Sequence, residues 1–497
     1  STQAKTLFPY TTLFRSQSEE QLKVEEAIRN TQSNICVQAT AGAGKTTTIL
    51  RCLEFVPKFK RTIFLSFSNG IVKELKNRVP SGIQASTLHS LGFREIMKKW
   101  GQVEVDEDKY FKKALYKLYP EKEQRTKEIY RNCFRIQDIS NFVRLTLTPH
   151  TFKEVKDICE YFNVEYTDEI ILQTIELLKV EKDVKSIDFT DMIYLPVVVE
   201  GMMNYKFDYV FLDEAQDSNE CQFQFVSKLL SKQGRLITVG DEFQCIYGFI
   251  GNSSDIFKKI QKLPNTINLR LSVSYRCPKN IVKLASTVCD FIKPFEFSKE
   301  GEVRRGSYRE IREGDFVLSR TTKPLIALFF QLLELKIKSS VIGKDIEKGL
   351  LQLADRCQHP SLEMTYKGFG KEFEKLKIEL EELGVKSYIN HQRWISLEEK
   401  IDVLKLILNH CDLSSELSSK VSEIFKESRE SVKLMTFHRS KGLENDRVFI
   451  IEEFNRERLY PSKYAIKDWE KEQERNLEFV AYTRSKSELI FINVGDE

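Results

Sequence analysis

The run Ala39-Thr40-Ala41-Gly42-Ala43-Gly44-Lys45-Thr46 puts two glycines, a lysine and a hydroxyl between the apolar Ile35-Cys36-Val37 and the helix-forming Thr47-Thr48-Ile49-Leu50. A strand, a glycine-rich turn and a helix N-terminus in that order make a phosphate cradle. Gly42 and Gly44 let backbone N–H groups turn inward, the helix start adds partial positive charge, and Lys45 adds a full one. Ala41, Ala43 and Thr47 complete the lining, and the Thr46 hydroxyl can reach Mg2+. The expectation is a bound nucleoside triphosphate, although Ala39 stands where the strict pattern has glycine.

Cleaving a phosphate also needs a metal ligand and a base for water. Tyr209-Val210-Phe211-Leu212 followed by Asp213-Glu214-Ala215-Gln216-Asp217 has that form, an apolar strand delivering acids at its C-terminal end. Asp213 is expected to hold Mg2+, and Glu214 to orient and deprotonate the attacking water. A plain acidic loop after a core strand is the alternative. Strand ends of an open sheet are, however, where such folds bind ligands.

These two segments recur with four others in one order: Gly240-Asp241-Glu242-Phe243-Gln244-Cys245-Ile246-Tyr247, Tyr275-Arg276, Thr436-Phe437-His438-Arg439-Ser440-Lys441-Gly442-Leu443-Glu444 and Val480-Ala481-Tyr482-Thr483-Arg484. The ordered set resembles the UvrD/Rep/PcrA-type superfamily 1 DNA helicases, from Gln21 to the last strand near Leu489-Ile490-Phe491-Ile492. The resemblance implies an α/β fold of two RecA-like P-loop NTPase domains, parallel sheets with flanking helices, carrying helical insertions. It implies ATP and Mg2+ as cofactors. By the same match Gln21 reads the adenine edge, Gln244 senses the γ-phosphate, Tyr275 stacks on the base, Glu444 bonds the ribose, and Arg276 and Arg484 are the phosphate-reading arginine and the arginine finger. Two guanidinium groups from another domain stabilise the transition-state charge only when the cleft is closed.

A DNA track follows from the resemblance too: Phe67, Asn69, Thr87, His89, Phe189, Tyr247, Phe249, Thr436 and His438. An unpaired strand offers π-faces and phosphates, so it calls for rings and hydrogen-bond donors. On the residues alone Phe67 is equally a core position, and Gln21 an exposed helix glutamine. Three positions depart from the family: Phe249 replaces Trp, Ile250 replaces Arg, and Ser440 replaces Ala. The implied activity is ATP-driven 3′-to-5′ translocation on single-stranded DNA with unwinding of 3′-tailed duplex. The alternatives are a DNA-stimulated ATPase that binds or clears single strands without unwinding, and a small-molecule kinase, which has no use for the aromatic track.

Bulk properties fit such a motor without selecting it. At 497 residues the chain exceeds a single core. Lys+Arg 77 against Asp+Glu 73 leaves +4, so any nucleic-acid surface is local or aromatic. The 10 cysteines lack C-x-x-C pairing, which points to reduced thiols and a cytoplasmic setting, and no apolar stretch is long enough to cross a membrane. Residues 1–16 look foreign to the family and are left out of the functional reading.

Elements that position the site follow from the apolar runs. Thr62–Phe67, Leu236–Val239, Phe316–Arg320, Val432–Met435 and Val448–Ile451 read as buried strands of parallel sheets. The predicted division is 17–93 with 186–267 as a first RecA-like domain, 94–185 as its helical insertion, 268–342 with 431–497 as a second RecA-like domain, and 343–430 as its short helical insertion. In that last segment Phe373, Leu376, Leu380 and Leu383 recur at helical spacing before Gly384, as a core face.

Overall fold

The computed structural model describes residues 17–67, 72–73, 79–80, 82–248, 254–382, 385, 388–428 and 430–495. Two parallel sheets organise the chain. The first is built from β1 (Asn34–Ala39), β2 (Thr62–Leu65), β3 (Gln84–Ser86), β4 (Phe207–Leu212), β5 (Leu230–Gly240) and β6 (Thr266–Leu271), in the order β3-β2-β4-β5-β1-β6. The second contains β7 (Glu302–Arg305), β8 (Phe316–Ser319), β9 (Ser339–Val341), β10 (Val432–Thr436), β11 (Asn445–Phe454) and β12 (Ser485–Val494), in the order β7-β12-β11-β8-β10-β9, with Glu457–Arg458 added antiparallel on β11.

Period-two alternation sends neighbouring residues to opposite faces, and here both faces are apolar. Ile35, Val37, Phe64, Phe211, Ile237 and Val239 enter one core of the first sheet, while Ile63, Leu65, Val210, Leu212 and Leu236 enter the other. The second sheet repeats the pattern, with Val317, Leu434, Phe449 and Ile490 on one side and Leu318, Met435, Ile450 and Leu489 on the other. Helices must cover all four faces, so a doubly wound α/β architecture follows from the strand sequences.

The helices that carry functional side chains are α1 (Glu19–Asn30), α2 (Lys45–Leu53), α3 (Leu88–Trp100), α4 (Lys109–Leu118), α5 (Lys127–Thr146), α6 (Phe189–Val198) and α7 (Asp468–Tyr482). The Ser18 hydroxyl accepts from Gln21 N–H while the Gln21 side chain accepts from Ser18 N–H, a capping box that fixes the start of α1. Arg235, buried in β5, donates to Ala27 O, Ile28 O and Ser33 O and so closes the C-terminal end of the same helix.

The first insertion has its own core. Leu115 of α4 and Ile136, Ile139 and Val143 of α5 pack with Val155, Ile170, Ile171 and Leu177. The second insertion does not: Leu350, Leu353, Phe369, Ile401 and Leu404 join the same core as Val317 and Leu434 of the second sheet. In its helix Leu362–Glu382, Leu376 and Leu380 are buried and Phe373 half-buried, while Leu383 and Gly384 lie outside the described residues. The two insertions meet through ion pairs. Glu379 binds Arg131 at 2.6 Å and Arg393 at 2.7 Å, and Arg393 also reaches Glu165 at 2.8 Å.

Candidate nucleotide site and strand track

The phosphate loop leaves β1 at Ala39 and enters α2 at Lys45. Ala39 is the last strand residue and fully buried, so a Cβ there fits the core. Gly42 and Gly44 sit at φ 72° and 77°, the left-handed region that glycine adopts without strain. Gly42 has a second reason to be glycine, since a Cβ there would lie 2.5 Å from the Arg276 Cβ. The segment Ser274–Arg276 is thus clamped on the loop: Tyr275 N–H donates to Gly42 O at 2.9 Å and Ser274 Oγ to Ala41 O at 2.8 Å. Ala43 is buried beneath the loop and Thr47 is exposed.

Lys45 Nζ lies 2.9 Å from Glu214 Oε2. Burial alone would lower the Lys45 ammonium, but Glu214, Asp241 and Asp213 outweigh it and hold it above its ordinary value. Burial likewise opposes ionisation of Glu214, yet Lys45 and Lys441 hold its carboxyl down at about 2, so it stays a carboxylate. Glu214 also sits at φ 51°, a left-handed conformation costly for a residue with a Cβ. Thr46 Oγ1 donates to Asp213 Oδ2 at 3.4 Å. Burial, then the Glu214 charge, pushes Asp213 up to about 7; burial pushes Asp241 up to about 6.

Those two buried carboxyls lack enough positive charge, and a hard divalent cation bound by oxygen would supply it. No cluster of three or more His, Cys, Asp or Glu capable of holding a metal occurs among the described residues. Mg2+ keeps waters and takes phosphate oxygens beside one or two protein oxygens, and Thr46 and Asp213 are the pair that would supply those.

Gln244 Nε2 donates to Asp241 Oδ2 at 2.6 Å, behind the acids. Two residues without a role in the sequence reading complete the cleft. Gln216 donates to Glu214 Oε2 at 2.8 Å and accepts from Asp241 N–H at 2.9 Å, tying β4 to β5. Lys441 Nζ binds Asp217 Oδ2 at 2.6 Å and Gln244 O at 2.7 Å, and so joins the second sheet's loop to the first sheet. Both occur within motifs already visible in the sequence, but only the packing of one sheet's loop on the other reveals their partners.

Two arginines come from beyond the first sheet: Arg484 precedes β12, and Arg276 follows Val273–Ser274, which pairs with Lys293–Pro294 in a separate two-stranded sheet. Arg276 pairs with Glu444 at 2.5 Å. Arg484 is 1% exposed and has no ion-pair partner among the described residues. Its guanidinium donates to Val480 O at 2.8 Å, Leu443 O at 3.1 Å and Thr483 Oγ1 at 3.0 Å. Burial, then the neighbouring Arg276, pushes it down to about 9, still charged at neutral pH. At the base end, Gln21 Nε2 donates to Thr48 Oγ1 at 3.2 Å, and the Tyr275 ring stands 5.0 Å from Phe295.

The expected track residues fall into three groups. His89 on α3 and Phe189 at the start of α6 meet edge to face, centroids 6.1 Å apart, with Phe189 52% exposed. Gly92 permits that approach, because a Cβ there would lie 1.8 Å from Met192 O. Burial lowers the His89 imidazole, keeping it neutral near pH 7. Thr87 is buried and its hydroxyl caps α3 by accepting from Ser90 N–H, while Phe67 is half-buried against the first sheet's core. Tyr247 lies beneath Lys441, whose Nζ is 5.0 Å from the ring centroid. Thr436 stands at the N-terminal end of the short helix Phe437–Ser440 without a side-chain capping bond; within that helix burial and Arg320 push His438 down to about 4. Asn69, Phe249 and Ile250 lie outside the described residues.

A phosphate loop, an acid pair at the adjoining strand end and arginines from beyond the first sheet define a P-loop protein of two RecA-like domains. Residues 20–265 match the UvrD/REP helicase N-terminal domain, the family to which this part of the chain belongs. It is 24% identical to F-box DNA helicase protein 1 of Schizosaccharomyces pombe, over 95% of this chain and 57% of that protein. It is 27% identical to the ATP-dependent DNA helicase PcrA of Staphylococcus aureus, over 53% of this chain and 39% of that one. The chain thus spans 57% and 39% of the length of these relatives. No helix among the described residues is long and apolar enough to cross a membrane.

Proposed function

We propose that the chain is an ATP-dependent DNA helicase that hydrolyses ATP with Mg2+ to move 3′ to 5′ along single-stranded DNA and to open 3′-tailed duplex. The observation that carries this reading is the division of the hydrolytic residues between the first sheet and segments beyond it, with Arg484 buried and, among the described residues, without an ion-pair partner where a γ-phosphate is to be met. The motor halves are then 17–93 with 186–271 and 272–342 with 431–497, the boundary expected at 267 moving past β6 because that strand pairs with β1.

Lys45 is held by Glu214 until nucleotide arrives. Phosphate oxygens then take the ammonium, which frees Glu214 to accept a proton from the attacking water. Bound Mg2+ neutralises phosphate charge, and Thr46 and Asp213 are the residues to hold it. Arg276 leaves Glu444 for the phosphates, Glu444 turns to the ribose, and Arg484 meets charge that builds only in the transition state. Lys441 carries the consequence to the strand, because it touches Asp217, Gln244 and Tyr247 together. Phe67, Asn69, Thr87, His89, Phe189, Tyr247, Phe249, Thr436 and His438 form the track. The free cysteines, nine of ten buried, support a reducing, cytoplasmic setting.

Strand displacement on a 3′-tailed duplex, run beside displacement of streptavidin from a biotinylated single strand, tests the proposal. Both activities are expected, from 3′ tails only. Streptavidin clearance without strand separation would instead identify a single-strand-clearing ATPase, and unwinding from 5′ tails would reverse the polarity.

A further inference from the structure

Phe189 is the most exposed aromatic of the described track, yet the backbone on both sides of it is held by buried charge. Asp188, before it, is the N-cap of α6 and forms a capping box with Asp191, whose N–H donates to Asp188 Oδ1 at 2.7 Å. Arg144 of α5, 0% exposed, grips both acids. Its NH1 and NH2 reach the two Asp188 oxygens at 2.7 Å each, and NH1 reaches Asp191 Oδ1 at 2.7 Å. Lys109 of α4 binds Asp191 Oδ2 at 2.5 Å, and the Arg144 guanidinium lies 4.0 Å from the Tyr110 ring centroid. On the other side of Phe189, Thr190 Oγ1 donates to Asn141 Oδ1, which also accepts from Arg144 NH2.

Both cations of this cluster come from the first insertion, and the two acids they bind come from the turn that presents Phe189. Burying two carboxylates, a guanidinium and an ammonium is expensive, and an apolar core of equal volume holds two helices together at least as well. What the ionic version adds is direction, since a guanidinium fork binds a carboxylate in one plane and one register. The register fixed here is the first turn of α6, the turn that carries Phe189.

We propose that Arg144 is a positioning residue for the strand track: through Asp188 and Asp191 it sets the pose of the Phe189 ring, so the helical insertion tunes single-strand affinity from outside the track. The inference rests on the reading of Phe189 as a DNA-stacking ring. It assigns a role to the insertion that needs no contact between the insertion and DNA.

A double-mutant cycle on Arg144→Lys and Phe189→Ala tests it, using the full chain and the dissociation constant of a fluorescein-labelled oligo(dT) measured by anisotropy at one salt concentration. Thermal midpoints are recorded for each variant. Phe189→Ala should weaken binding by roughly 5- to 150-fold, the worth of one stacked base. Arg144→Lys keeps the charge but loses the fork, and should weaken binding by roughly twofold or more, the lower range for coupled neighbours. In the Phe189→Ala background Arg144→Lys should weaken it no further. Lys109→Gln, which releases Asp191 from the rim of the cluster, gives the same cycle should Arg144→Lys fail to fold. Equal factors in both backgrounds would overturn the inference and leave Arg144 a structural residue. Unaltered binding by Phe189→Ala would remove the stacking reading itself, and the inference with it.

Discussion

Replacing Arg484 by Met separates the two consequences of burying a guanidinium without a counter-ion. In the nucleotide-free protein the substitution removes three charge-assisted hydrogen bonds, to Val480 O, Leu443 O and Thr483 Oγ1. At about 1.5–3 kcal/mol each these are worth about 4–9 kcal/mol. It also removes the penalty of an unpaired buried ion, which is several kcal/mol after relaxation. The two terms oppose each other, so Arg484→Met should leave the free protein's stability within about 2 kcal/mol of the parent, a small change for so deeply buried a residue. Turnover should behave otherwise. Loss of an arginine finger costs about 10^3 to 10^5 in rate, or about 4–7 kcal/mol in the barrier. The assay is urea unfolding of the free protein together with single-turnover hydrolysis at saturating ATP, Mg2+ and oligo(dT). A variant that is much less stable but hydrolyses ATP normally would refute the reasoning and make Arg484 a packing residue.

Glu214→Gln should bind ATP as tightly as the parent while turnover collapses, whereas Lys45→Ala should lose binding; fluorescent-nucleotide titration beside phosphate release distinguishes them. Lys441→Ala removes the contacts to Asp217 and Gln244 O, so DNA stimulation should fall more than DNA-free turnover, which ATPase assays with and without oligo(dT) read directly. His438 gives a pH signature: its folded value, about 4, lies below the ordinary 6.5, so the unfolded chain takes the proton first. Stability from the neutral ring is therefore present above pH 6.5 and lost as pH falls through about 4; His438→Gln should flatten that limb of the urea midpoint plotted against pH. Tyr275→Ala should raise the Michaelis constant for ATP with little change in maximal rate, since a stacking ring acts in the ground state.

Much of this arrangement is legible in the sequence because local chemistry writes it there. The phosphate loop needs glycine at Gly42 and Gly44 and an apolar strand before them, and parallel strands buried on both faces read as apolar runs such as Tyr209–Leu212 and Val448–Ile451. What depends on two distant segments meeting is not written locally. Lys441 is a helix-end lysine until its loop lies on Asp217, and Arg144 is one arginine among many on a charged helix until α5 packs on α6. Thr87 adds a local role that its motif does not show, since its hydroxyl also caps α3. The second insertion, read from its length and periodicity as a separate unit, shares the second sheet's core because Leu350, Phe369 and Leu404 face Val317 and Leu434.

Under the proposed function, nucleotide hydrolysis and a single DNA strand are joined where Lys441, Gln244 and Tyr247 meet. ATP turnover measured with Mg2+ alone, with oligo(dT), and with blunt duplex of equal nucleotide content checks that joint. Slow turnover alone and strong stimulation by oligo(dT) but not by blunt duplex are expected. Equal rates in all three conditions would contradict the proposed function.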